Sequence, residues 1–242
     1  MAEARLGRVI EQERPVHPRV PAGPAHLLRG RPLRRHVASS DSLGQPLAQS
    51  RPATLVAAKP SRPPWPLLLD NPLARLQAKR FLQRLQVKPG MRILDLGCGP
   101  GRLTVPAARL VGGAGEVLAL DLQPAMLAIV ERRARDAGLQ AIVHTLASSA
   151  GSGALPTHSY DLALLVAVLP EIPAEARRAT IQENAAALHS GGRLAVVEGL
   201  FDPHRQSREA VLALAEPEGL SLEKEDRRLL TPLSVFNKVA AG

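Results

Sequence analysis

Ile93-Leu94-Asp95-Leu96-Gly97-Cys98-Gly99-Pro100-Gly101 is the stretch whose reading decides the fold. It is a short apolar strand that ends on an acid and runs into a glycine-rich turn. Helix-forming sequence follows from Arg102 to Val111. Three glycines at alternate positions let the backbone turn tightly and lie close to a ligand with no Cβ in the way. The free N–H groups at the start of the following helix then face that ligand. The dinucleotide fingerprint G-x-G-x-x-G needs a third glycine for close helix–strand packing. Counted from Gly97, that position is Arg102, so the fingerprint fails.

Downstream, Glu116-Val-Leu-Ala-Leu-Asp121 is a second apolar strand closing on a carboxylate. In a parallel βαβ unit an acid there sits beside the glycine turn and can accept both hydroxyls of a ribose. Asp121 therefore marks a ribose-bearing ligand without saying which. The spacing D-x-G-x-G-x-G from Asp95 to Gly101 is more selective: it resembles the first motif of class I S-adenosylmethionine (SAM) dependent methyltransferases.

The rest of the chain is compatible with one α/β domain and an appendage. Its 242 residues can bury a substantial core. A single cysteine excludes a disulfide framework or a multi-cysteine metal site, and the seven histidines show no metal-ligand spacing, so no metal is expected. The longest apolar run, Leu162 to Leu169, is far short of the roughly 20 residues a bilayer span needs. With no secretory signal visible, a cytoplasmic protein is expected. The formal charge of +9 is uneven. Residues 1–62 hold 11 Lys/Arg against 4 Asp/Glu, whereas residues 63–242 hold 20 against 18. The folded part reads as nearly neutral, with no basic stripe and few aromatics for base stacking, so no nucleic-acid partner is expected.

Residues 1–62 carry eight prolines among Arg, Ala and Ser, and read as a disordered tail with at most a transient helix over 3–12. The domain is expected over 63–242. An amphipathic helix from Pro72 to Leu85 opens it, with Ala78, Phe81, Leu82 and Leu85 at helical spacing. Strands at 91–96, 116–121, 141–145, 160–167 and 193–199 then alternate with helices near 102–111, 124–137 and 174–189. That alternation implies a Rossmann-like parallel sheet with helices on both faces. A helix over 206–216 and strands over 220–225 and 229–238 complete a seven-stranded, mostly parallel sheet with an antiparallel C-terminal strand. Pro106 falls inside the expected 102–111 helix, which its missing N–H should disfavour.

The resemblance covers about 170 residues, and the chain looks like the small methyltransferases similar to the ubiquinone/menaquinone biosynthesis C-methyltransferases. Later motifs fall in order: Ala154-Leu155-Pro156, Ser159-Tyr160-Asp161, and Leu188-His-Ser-Gly-Gly-Arg193 as a turn into the fifth strand. It implies SAM as cofactor. Asp95 would neutralise the methionine ammonium directly or through water. Gly97, Cys98, Gly99 and Gly101 would wrap the methionine portion, the Cys98 thiol being a small packing group. Asp121 would take the ribose hydroxyls and Leu122 would cover one adenine face. Relatives place an acid before the Leu-Pro of the third motif to contact adenine. Here the stretch is Ala147-Ser-Ser-Ala-Gly-Ser-Gly153, which leaves Ser148, Ser149 or backbone groups for that task.

Glu171 and His204 follow the fourth and fifth strands and are the catalytic candidates, with Asp202 shaping the turn beside His204. Arg102 reads as a solvated helix-start residue or a contact to the cofactor carboxylate. His144 is expected to pack at a strand end. The 72–85 helix either forms a lid across the reactive end or completes the core. The activity implied is C- or O-methylation of a small apolar acceptor. The alternatives are a nicotinamide-dependent oxidoreductase on a Rossmann fold and a SAM-binding protein without catalysis.

Overall fold

Four consecutive buried residues, Ile93 to Leu96, need cover on both faces, and the topology supplies it. The computed structural model describes residues 72–199, 202–226 and 232–239. The expected tail over 1–62, and the expected domain start at 63, lie outside the described residues. In chain order the elements are α1 (Pro72–Arg84), β1 (Arg92–Leu96), α2 (Thr104–Val111), β2 (Glu116–Asp121), α3 (Pro124–Asp136) and β3 (Val143–Ala147). They continue with β4 (Tyr160–Val166), α4 (Ala174–Ala187), β5 (Leu188–Val197), α5 (Arg208–Ala215), β6 (Leu220–Asp226) and β7 (Leu233–Lys238). The sheet runs β3-β2-β1-β4-β5-β7-β6. Strands β1 to β5 pair in parallel, and β7 lies antiparallel between β5 and β6.

Because strand side chains alternate, each face of the sheet has its own core. Ile93, Val117, Ala119 and Leu162 pack against α1, α2 and α3 through Leu82, Ala107, Ala108, Leu127 and Val130. Leu94, Leu96, Leu120 and Leu165 pack on the other face against Ile181 and Ala185 of α4 and Val211 and Ala215 of α5. Strand order reverses between β1 and β4, which opens a crevice at the carboxyl ends of those strands, where open α/β sheets bind ligands.

Several expectations are corrected. Helix α2 begins at Thr104, two residues late, which places Pro106 in its first turn. N–H groups there have no intrahelical acceptor, so proline removes nothing. Strand β3 begins at Val143 because a turn with Leu139 N–H to Ala134 O and Ile142 N–H to Leu139 O occupies the preceding residues. Strand β5 takes in the segment read as a turn: Leu188 pairs with Tyr160, and an irregularity separates that pair from the regular register starting at Leu162–Arg193. His144 lies exposed on the edge strand β3 rather than packed. Helix α1 ends at Arg84, one residue before the expected Leu85, and lies in the core layer; Leu82 on it and Leu85 in the turn beyond are fully buried, the Leu85 carbonyl accepting from Arg193 Nη2 at 2.7 Å. It completes the core, with Phe81 half-buried against the same cluster.

Leu82→Ala is therefore expected to lose about 2–5 kcal/mol of stability. Leu73→Ala, on the exposed side of the same helix, should change it by no more than about 0.5 kcal/mol. Denaturant unfolding of the two variants checks the pair.

Candidate cofactor cradle and active site

The alternation of strand side chains also places two carboxylates together. Asp95 pairs in register with Ala119, so Asp121 stands two residues further along the neighbouring strand, on the same face. Asp121 is buried and bridges two segments. Its Oδ2 accepts from Gly99 N–H at 2.9 Å, and its Oδ1 accepts from Gln123 N–H at 2.8 Å. Each carboxylate oxygen has a second lone pair, so the group can accept further hydroxyl donors without giving up these bonds.

The glycine turn is held to β2 by Gly97 N–H and Cys98 N–H, both donating to Leu120 O at 2.8 and 3.1 Å. Gly97 has φ +68°, and a Cβ there would stand 2.6 Å from Val168 Cγ2, so the turn closes onto the segment after β4 only with glycine. Gly99 has φ +52°, but a Cβ there would meet nothing within 4 Å. That side of the turn is open, so its backbone is accessible to close approach. Cys98 is buried, its Sγ 3.5 Å from Gly99 O, and burial holds its thiol far above the ordinary range, so it packs and does not react.

Asp95 is the chemically unusual group. It is 4% exposed, and no cationic side chain pairs with it among the described residues. Thr104 Oγ1 donates to its Oδ2 at 2.6 Å. Burial pushes its carboxyl up to about 6; the Thr104 hydrogen bond opposes the rise and the nearby Asp121 charge adds to it. Folding thus leaves a buried anion that a cationic ligand would stabilise. Sequence reading missed Thr104 because its contact depends on where α2 begins.

Leu122 is 39% exposed directly after Asp121, available to cover a planar ring. Ser148 N–H donates to Asp121 O at 3.2 Å, and its hydroxyl lies 2.8 Å from that of Ser152, which puts it at the adjoining strand end. Glu171 and His204 are both exposed, on the loops after β4 and β5. The structure records no hydrogen bond between them. Asp202 shapes its turn as expected, its Oδ1 accepting from His204 N–H at 2.8 Å. Arg102 is exposed at the end of the turn.

Glu198, one residue beyond β5, is a polar group that sequence reading did not single out. It is 6% exposed; its Oε2 accepts from Gln206 N–H at 2.9 Å, and its Oε1 has no partner. Burial raises its pKa, with the Gln206 bond opposing. Arg177 ties the same loop to the segment after β4, donating from Nη1 to Gln206 Oε1 and from Nε to Leu169 O and Ile172 O. In sequence, Glu198 looks like any polar residue at a strand end.

Residues 93–192 match the family model of a methyltransferase domain. Similar proteins include the ubiquinone/menaquinone biosynthesis C-methyltransferase of Vibrio vulnificus, 30% identical over 139 residues, or 56% of this chain and 53% of that one. The nocamycin O-methyltransferase of Saccharothrix syringae is 34% identical over 104 residues, or 42% of this chain and 37% of that one. The chain thus spans about half or less of the length of these enzymes. Among solved structures, a SAM-dependent methyltransferase from Aquifex aeolicus shares the fold, with a TM-score of 0.63, 21% identity, and coverage of 74% of this chain and all of that one. The match of the methyltransferase domain spans the glycine turn, both strand-end carboxylates and the crevice between β1 and β4.

The two glycines should separate on substitution. Alanine at a left-handed position costs about 1–2 kcal/mol. Gly99→Ala is expected to lose only that, whereas Gly97→Ala adds the clash with Val168 and should melt several degrees lower in a thermal scan.

Proposed function

We propose that the protein transfers a methyl group from SAM to a small apolar acceptor, at carbon or oxygen. The supporting observation is Asp95, a buried carboxylate with no cation beside it, facing the same crevice as Asp121. A ligand bearing an ammonium offsets the desolvation of that carboxylate. A pyrophosphate at the same turn would face two anions, which disfavours the nicotinamide reading. The residues present fit SAM: Asp95 for the ammonium, the open side of Gly99 for the methionine portion, Asp121 for the ribose, Leu122 for the adenine face and Ser148 for its edge.

Bound there, SAM supplies a methyl group on a sulfonium, a leaving group that needs no further activation. The protein's task is then alignment, which can supply roughly 7–11 kcal/mol of a barrier. Glu171 and His204 stand on the acceptor side as contacts or proton acceptors. Glu198 acts at one remove, as a positioning residue that fixes the loop carrying His204.

Isothermal titration tests the cofactor assignment: SAM and S-adenosylhomocysteine should bind and NAD(H) should not. Asp121→Ala should weaken SAM by about 1–3 kcal/mol, the value of hydrogen bonds to a charged acceptor. The pH dependence follows from Asp95. Its carboxyl titrates near pH 6 in the free protein and lower when it faces a cation, so binding below pH 6 must expel a proton. Affinity should be constant above pH 7 and fall by up to about tenfold per unit below pH 6. Asp95→Asn should abolish that slope and weaken binding.

The same substitution has the opposite effect on the free fold. Because the folded pKa lies above the ordinary 3.8, ligand-free stability is fullest below about pH 4 and declines as pH rises to about 6. Asp95→Asn, whose amide oxygen still accepts from Thr104, should therefore raise the melting temperature of the free protein at pH 8 and not at pH 4. Turnover is checked with methyl-labelled SAM and an organic extract of cells: label should enter the extractable fraction. Tight SAM binding with no label transferred would favour the non-catalytic reading.

A further inference from the structure

The two helical layers differ sharply in charge. On one, α1 carries Arg75, Lys79, Arg80 and Arg84 with no acid, and α2 adds Arg109. On α3, Arg132, Arg133 and Arg135 stand against Glu131 and Asp136. On the opposite layer the charges balance: Glu175 and Glu183 against Arg177 and Arg178 on α4, and Glu209 against Arg208 on α5. The near-neutral domain is therefore polarised across its sheet. The basic side also holds a cavity of about 300 Å³ between α1, α2 and α3, in which Arg75, Arg102, Arg109 and Arg133 converge with Asp136 as the one acid.

Charge alone would suit any polyanion; α1 narrows the choice. Leu73 and Leu76 are 64% and 42% exposed, and on a helix they share one face with Lys79 and Arg80. Their opposite numbers, Ala78 and Leu82, fill the core, so these leucines are surplus to folding. Exposed leucines flanked by cations are what a headgroup–acyl boundary accepts. A phosphate backbone has no use for them, and the described helices of this layer offer only the half-buried Phe81 as an aromatic for stacking.

We propose that the α1–α2–α3 layer docks on the surface of an anionic lipid bilayer. Leu73 and Leu76 enter the headgroup boundary, and the arginine-lined cavity receives lipid phosphate. This is peripheral association: among the described residues no helix is long and apolar enough to cross a membrane. The layer stands beside the cofactor cradle, because Gly101 and Arg102 border both the turn and the cavity. Docking would therefore bring an apolar acceptor held in the bilayer close to the crevice.

Vesicle flotation of the full chain tests this, with vesicles of phosphatidylcholine alone and of phosphatidylcholine mixed with phosphatidylglycerol. The protein should float only with the mixed vesicles and detach as salt rises. Each basic residue near such a surface is worth about fivefold in partitioning. The double variant Lys79→Glu, Arg80→Glu should therefore lose at least about twentyfold, and Arg109→Glu a smaller amount. Leu73→Ser with Leu76→Ser should weaken binding several-fold, and Arg178→Glu on the opposite layer should leave it unchanged. Melting temperatures verify that each variant is folded. Flotation that is insensitive to the α1 variants would assign binding to basic residues elsewhere in the chain and overturn the proposal. So would a duplex RNA that binds with the same dependence on Lys79 and Arg80 while ignoring the leucine pair.

Discussion

The Asp121 carboxylate, held by the N–H groups of Gly99 and Gln123, is the constraint on which the site depends. It fastens the glycine turn after β1 to the start of α3 after β2, two segments that only the parallel register of β1 and β2 brings together. Leu120 O, receiving Gly97 and Cys98, makes the same connection from the backbone. With the turn pinned from β2, its other side closes on Val168, so three strand ends define one crevice. The carboxylate is thus a structural clamp with lone pairs to spare.

Asp95 shows the complementary compromise. A buried carboxylate with one hydroxyl partner and a second anion nearby raises the free energy of the empty fold at neutral pH. Replacing its charge should strengthen the free protein and weaken it as a receptor for a cation. Functional sites commonly hold such groups, because the interaction that the fold leaves unmade is the one the ligand completes. Glu198, buried with an unpartnered oxygen at the end of β5, is in a related condition. There the offset comes from Gln206 N–H and from Arg177, which ties the loops after β4 and β5 together.

Much of this was legible in the chain because it is written in local patterns. The strand–turn–helix of Ile93 to Val111 and the strand ending at Asp121 carry their periodicity within a dozen residues, and their acids stand at strand ends by sequence alone. The late start of α2 was less legible, since Pro106 could be placed only once the turn through Leu103 was known. Thr104 and Glu198 gave no signal, because a threonine at a helix start and a glutamate at a strand end are ordinary until their partners are seen. His144 was misplaced for a related reason: alternation gives a strand two faces but does not say that β3 lies at the sheet edge.

Charge makes the same distinction. Summed along the chain, the domain is nearly neutral, and that sum is correct, but the expectation of no basic stripe is not: the fold gathers one. The fold then sends α1, α2 and α3 to one face and α4 and α5 to the other, and the cancelling charges part company. Sequence by itself determined the α/β class, the glycine turn and its two acids, because hydrophobic period and backbone freedom are local properties. Tertiary structure alone decided which groups became buried without partners, that α1 serves the core, and that four arginines from separate segments share one cavity. Burial and juxtaposition are set by how distant segments pack, and no window along the chain contains them.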